Sequence, residues 1–199
     1  MNNDFFKAVK ERRSFYAINK EVGISDEKIQ ELVEEAVKYS PSAFNSQSAR
    51  AVVLLSANHD KIWDITMESL HKIVPADKFA STEERINSFK NGYGTILFFE
   101  DAKIIENFQE QFASYKDNFP NWSQQSSGML QYVVWTALEA EGLGASLQHY
   151  NNLIETEVKA AWQIPATWQL ISQMPFGKPF ANPNDKEFAP IEDRVKIIK

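Results

Sequence analysis

Three short apolar runs, at residues 51–56, 95–99 and 168–174, are kept apart by long stretches patterned for helix, and this spacing constrains the fold more than any other feature. Runs of that length and composition read as strands buried on both faces. Strands so far apart cannot be joined by tight turns, so they must meet across helices. The layout that follows is α+β, a few core strands surrounded by helices.

The helical stretches carry their own punctuation. Residues 4–12 pattern as a short helix ending in cations, with Phe5, Phe6 and Val9 facing inward. Ser25 is placed to cap a second helix, with Asp26 and Glu27 in the favourable first turn and Ile29, Leu32, Val33, Ala36 and Val37 in one apolar stripe. Ser40-Pro41 stops it. A third helix carries Ile62, Trp63, Ile65 and Leu70 and closes at Pro75. Ser81 and Thr82 mark a further helix start ahead of Glu83 and Glu84. Residues 103–122 read as a helix followed by an irregular loop around Pro120. The longest helical pattern spans 123–141, with Met129, Val133, Val134, Ala137 and Leu138 inward and Gly142 as its stop. A short strand over 145–148 and a helix over 151–163 follow. Residues 175–190 read as Pro-rich coil, and 194–198 alternate weakly, like an edge strand seeking a partner. With no repeat or linker in view, residues 1–199 read as one domain.

Charge and inventory exclude several functions. The net charge of -6 and the absence of any long Lys/Arg run argue against nucleic-acid binding, which needs a clustered cationic surface. There is no cysteine, so disulfides, thiolate metal sites and a Cys nucleophile are ruled out. His59, His71 and His149 lack ligand spacing, so no metal site is expected. No dinucleotide-binding glycine motif, P-loop or nucleophile elbow occurs. The opening Met1-Asn2-Asn3-Asp4-Phe5 has no leader pattern and no apolar run reaches membrane-spanning length, which leads to the expectation of a cytoplasmic protein that does not enter a membrane. Aromatic residues make up 13% of the chain, more flat apolar surface than a small core requires, as a planar ligand or a subunit interface would use.

Three segments could carry chemistry. Arg12 and Arg13 with Ser14 and Tyr16 end the first helix; such cations can merely complement the helix dipole, or their forks can clasp a phosphate. Ser40-Pro41-Ser42-Ala43-Phe44-Asn45-Ser46-Gln47 has the composition of a turn. Its Asn45 and Gln47 also offer paired donors and acceptors, which suit the edge of a uracil-like ring. Leu147-Gln148-His149-Tyr150-Asn151 lies at a strand end before a helix, where free backbone N–H groups gather; a lone His there is more often a satisfied polar residue than a catalyst.

In this order, Arg12-Arg13-Ser14, Ser40-Pro41-Ser42 with Asn45-Ser46-Gln47, Gly142-Leu143-Gly144-Ala145 and Pro175-Phe176-Gly177-Lys178-Pro179 resemble the FMN-dependent nitroreductase family, over essentially the whole chain. Arg13-Ser14 with Tyr16, Gly92-Tyr93-Gly94-Thr95, Leu147-Gln148-His149-Tyr150-Asn151 and Met174-Pro175 look like its short subgroup, which includes the fatty-acid repression mutant proteins. The resemblance implies a nitroreductase-like fold, with a central mixed or antiparallel sheet flanked by helices. It also implies an intertwined homodimer with a swapped C-terminal strand and FMN at the subunit boundary. Arg12, Arg13 and Ser14 would hold the FMN phosphate, Asn45 and Gln47 would face the isoalloxazine, and Leu147, Gln148 and His149 would flank its reactive face. Lys186, or else Lys178, would complete the phosphate site.

Two departures stand out: Tyr16 replaces a cation common in relatives, and Ser48-Ala49 replaces Pro-Trp at the pocket entrance. The implied activity is ping-pong transfer of two electrons from NAD(P)H through flavin N5 to nitroaromatics, quinones or similar flat small-molecule acceptors. No catalytic side chain is needed, because the cofactor carries the chemistry. A flavin-binding regulatory or partner-interaction protein with incidental turnover is the rival reading. A cofactor-free helical interaction module is a more distant one.

Overall fold

A computed structural model describes residues 3–199. Met1 and Asn2, the start of the segment read above as lacking a leader pattern, lie outside the described residues. Five strands form one antiparallel sheet: β1 (Ile18–Asn19), β2 (Ala49–Leu55), β3 (Gly94–Asp101), β4 (Gly144–Ala145) and β5 (Trp168–Pro179). The order is β1-β5-β3-β2, with β4 also paired to β5. β3 is central, and its Gly94 to Glu100 are all buried. The pleat sends Ile96 and Phe98 to a core with α2 (Asp26–Tyr39) and α6 (Phe119–Ala140). It sends Leu97 and Phe99 to a second core with α3 (Ala57–His71), α4 (Phe79–Lys90) and α7 (Asn151–Trp162). Burying each of these side chains stabilises by about 1.5–3 kcal/mol, so the sheet is clamped from both sides by helices. α1 (Asn3–Glu11) and α5 (Ala102–Gln111) pack against α6.

Most of the expected elements are present. The Ser25 side chain accepts from Lys28 N at 3.3 Å, capping α2 as the sequence requires, and Gly142 (φ 75°) ends the turn after α6. The differences have physical causes. β5 runs on to Pro179 where coil was expected, because Pro175 needs no donor and its carbonyl accepts from Ser146 N at 3.2 Å. Pro120 starts α6 instead of sitting in a loop, since the missing N–H of Pro costs nothing in a first turn. α4 begins at buried Phe79, so Ser81 and Thr82 fall inside it. The expected strand at 145–148 shrinks to two residues plus a bridge from Gln148 to Gln173. Residues 194–198 are exposed and form no strand within the chain. Phe5 and Phe6 are 60% and 50% exposed, and Met129 and Val133 face outward from α6.

Candidate functional site

Where α1 runs out, Arg12 N still donates to Ala8 O at 2.8 Å, but Arg13 leaves the helix. The chain is then caught by β4: Phe15 N donates to Ala145 O at 3.0 Å and Ser14 bridges Ala145. Residues 181–187 return over this segment after β5, and Arg13 Nη2 donates to Asn184 O at 2.6 Å. The result is a cleft of 760 Å³ whose walls include Arg12, Arg13, Ser14, Tyr16 and Lys186. Asp185 and Glu187 also line it, leaving three cations against two carboxylates.

Arg12 makes no salt bridge among the described residues, although the Glu139 carboxyl on α6 feels its charge. The Arg12 guanidinium carbon lies 4.3 Å from the Trp135 ring centroid and 5.8 Å from that of Tyr132, both on α6. Cation–π contact of this kind is worth about 0.5–2 kcal/mol. Among the described residues, Arg12 Nε and Trp135 Nε1 are buried with no hydrogen-bond partner. A cation fixed on aromatic faces with an unused N–H is suited to an oxyanion. Nothing in the sequence reading singled out Trp135 or Tyr132; their three-residue spacing on a helix was the available signal.

The amide-rich loop is built by backbone strain. Phe44, Asn45 and Gln47 have φ of 56°, 51° and 49°, the left-handed region that costs an L-residue about 1–2 kcal/mol each. The Ser42 hydroxyl oxygen accepts from Gln47 N at 3.0 Å. Arg50 Nη1 donates to Gln47 O at 2.7 Å, while its Nη2 meets Asp101 at 3.2 Å. Phe44 anchors the loop in a cluster with Phe112, Phe119 and Trp122, ring centroids 4.8 to 6.0 Å away. Asn45 and Gln47 are left exposed, with Gln47 Nε2 donating back to Asn45 O at 3.4 Å.

The two motifs do not share a cleft within one chain. Ala145, beside Ser14, pairs with Phe176, which pairs with Gly94 at the start of β3. Ala49, beside Gln47, pairs with Glu100 near its end. Six residues of strand separate them, about 20 Å. Between these ends lies the third segment. Gln148 is buried, exchanges backbone hydrogen bonds with Gln173 at 2.7 and 2.9 Å, and donates from Nε2 to Ser146 Oγ. Leu147 is half-buried and His149 exposed. Of the two lysines, Lys186 lines the cleft; Lys178, exposed on β5 opposite Asn19, does not.

The pattern of the Nitroreductase family matches residues 9–178. This chain belongs to the nitroreductase family. It is therefore placed among oxidoreductases. The putative nitroreductase HBN1 of Saccharomyces cerevisiae is 34% identical over 196 residues, 98% of this chain and 96% of that protein. The nitroreductase FRM2 of the same yeast is 33% identical over 188 residues, 93% of each. The fatty-acid repression mutant subgroup read from the motifs is thus the right one. The nitroreductase CinD from Lactococcus lactis, solved in complex with chloramphenicol, superposes with a TM-score of 0.90 at 43% identity, covering 98% of this chain and 100% of CinD. A putative nitroreductase from Desulfovibrio desulfuricans, solved in complex with FMN, shares the fold at 21% identity and a TM-score of 0.71, covering 100% of this chain and 99% of the other. Among the described residues no helix is long and apolar enough to cross a membrane.

Proposed function

We propose that residues 1–199 form one FMN-binding domain of a cytoplasmic, homodimeric NAD(P)H oxidoreductase that reduces nitroaromatics, quinones or similar flat acceptors. The observation that carries this reading is the cleft whose walls bring Arg12, Arg13 and Lys186 together with Ser14, three cations and a hydroxyl around one space. That donor set fits a phosphate. In this reading Arg12, Arg13, Ser14 and Lys186 hold the FMN phosphate, and Tyr16 walls the same cleft in place of a further cation. When bound, FMN supplies two-electron transfer between a reduced dinucleotide and an acceptor in alternating half-reactions. Leu147, Gln148 and His149 exclude water from the stacking face, and Gln148 is locked to β5 for that purpose.

Asn45 and Gln47 reach the ring from a second copy of the chain, which accounts for the 20 Å that separates them from the clasp in one copy. The surface supports such pairing. Met129, Tyr132 and Val133 on α6 are 43%, 40% and 42% exposed, beside the outward Phe5 and Phe6 of α1. β2 is a sheet edge, and the groove of 610 Å³ between it and α2 is lined by Val33, Val53 and Leu55 with Asp26, Glu27 and Glu34 at its rim. Lys38 and Arg50 line the groove as well, so the match is chiefly apolar: the exposed terminus offers Val195, Ile197 and Ile198 to it. The partner's terminus occupies that groove in the proposed dimer.

An absorption spectrum of the purified protein tests the reading, followed by anaerobic addition of NADH and of NADPH. Bound FMN that bleaches with either dinucleotide, and regains colour with a quinone, is the expected result. Protein that purifies without flavin and fails to take up added FMN would overturn it.

A further inference from the structure

Tyr16 separates two clefts. On one side is the Arg12 cleft; on the other a cleft of 470 Å³ is lined by Tyr16, Ser81, Glu84, Arg85 and Ser88. α4 builds its floor, because positions 81, 84, 85 and 88 recur at steps of three and four and share one helical face. On the opposite side of the helix Ile86 and Phe89 are fully buried. The Phe89 ring reaches back to Tyr16, centroids 6.2 Å apart, so the helix that forms the floor also steadies the dividing ring.

The lining has donors and acceptors to spare. Arg85 is exposed and makes no ion pair among the described residues. Ser81 and Ser88 donate their hydroxyl protons to helix carbonyls, Lys78 O at 3.5 Å and Arg85 O at 2.7 Å, which leaves oxygen lone pairs free to accept. The Tyr150 ring stands edge-on to Trp63 at 6.3 Å, Trp63 packs on Phe89 at 4.9 Å, and Phe89 meets Tyr16 at 6.2 Å. The far end of the Leu147–Tyr150 segment is thus joined through a chain of rings to the ring that walls this cleft, and a single extended ligand could run from that segment onto α4.

We propose that this cleft takes the adenosine diphosphate end of a reduced nicotinamide dinucleotide, with Arg85 on the diphosphate and Glu84 on a ribose diol. The proposal rests on the flavoenzyme reading above. A guanidinium fork matches phosphate oxygens, and a planar Tyr16 ring offers a face to a base. A lone carboxylate beside that fork disfavours simple anions but accepts from vicinal hydroxyls, and it repels a phosphate ester in their place. Glu84 therefore makes the enzyme prefer NADH to NADPH.

The test uses FMN-loaded protein with a saturating quinone and the variants Arg85→Gln and Glu84→Gln, both checked for retained flavin absorbance. Arg85→Gln is expected to raise KM for NADH by about tenfold, leaving KM for the quinone as it was. ADP should compete with NADH in the parent protein and lose that competition in Arg85→Gln. Glu84→Gln should narrow the preference for NADH over NADPH by about fivefold. Parent-like KM values for both dinucleotides in both variants would overturn the proposal. If the protein carries no flavin or oxidises neither dinucleotide, the flavoenzyme reading fails on its own account, and calorimetric titration with ADP then decides. Heat of binding that Arg85→Gln abolishes upholds the site, and no heat with the parent protein removes it.

Discussion

The Ser48 hydroxyl donates to Glu100 Oε2 at 2.6 Å, while Glu100 Oε1 is buried with no partner among the described residues. Burial pushes this carboxyl up to about 7, against smaller lowering effects of Ser48 and Arg50. The folded protein therefore binds a proton that the unfolded chain has released between pH 4.5 and about 7. Stability is full below that window and declines as pH rises through it. The rise corresponds to roughly 3 kcal/mol. Glu100→Gln should leave thermal stability nearly unchanged at pH 4.5 and raise it at pH 8, by roughly 5–10 °C. Melting curves of both proteins across pH 4.5 to 8 check this; a constant offset between them would count against it.

His59 behaves in the opposite sense. Trp63 Nε1 can only donate, and it does so to Thr95 Oγ1 at 3.0 Å. The Thr95 proton is then available to His59 Nδ1 at 2.9 Å, and the protonated Nε2 donates to Lys90 O at 3.1 Å. Burial lowers the pKa of this ring. A lowered value means the folded state resists protonation, so its stability is present above pH 6.5 and is lost as pH falls further. Thr95→Val breaks the chain at its middle and should cost about 1–3 kcal/mol, measured by urea unfolding at pH 7.5.

The two candidate lysines separate cleanly. Lys186→Ala should raise the Kd for FMN by about tenfold, followed by quenching of flavin fluorescence on titration. Lys178→Ala, outside the cleft, should shift it by no more than about twofold. Equal effects of the two substitutions would show that the phosphate does not sit between Arg13 and residue 186.

Deleting residues 190–199 tests the dimer. With no terminus to fill the β2 groove, the shortened chain should elute as monomer in light-scattering chromatography and retain FMN poorly. A dimer of unchanged stability with full flavin content would place the subunit contact elsewhere.

Local signals carried a good part of the fold. The Ser25 cap, the stop at Gly142 and the three apolar runs each state their structure within a few residues, and all three recur in the protein. β5 beyond Met174 was illegible because Pro175 and Pro179 look like coil until one knows that neighbouring strands need no donor from them. The outward faces of Phe5, Met129 and Val133 were illegible for another reason: helical periodicity reports apolar faces without saying whether the chain's own core or another surface covers them. For the site, Arg12, Arg13, Ser14, Tyr16 and Lys186 were named from the sequence and do share one cleft. The Trp135 face under Arg12 and the Ser48–Glu100 pair join residues 123 and 52 positions apart in the chain, separations at which no pattern in a single sequence speaks.

β5 pairs with β1, β3 and β4 at once, and at Gly177 an added Cβ would come within 2.3 Å of Asn19 O. The arginine side and the Leu147 side of the proposed flavin pocket are thus riveted to one strand at a point with no clearance. Neither wall can shift alone, so opening for substrates must come from residues 181–187 or from a neighbouring subunit, with the sheet serving as a fixed anvil.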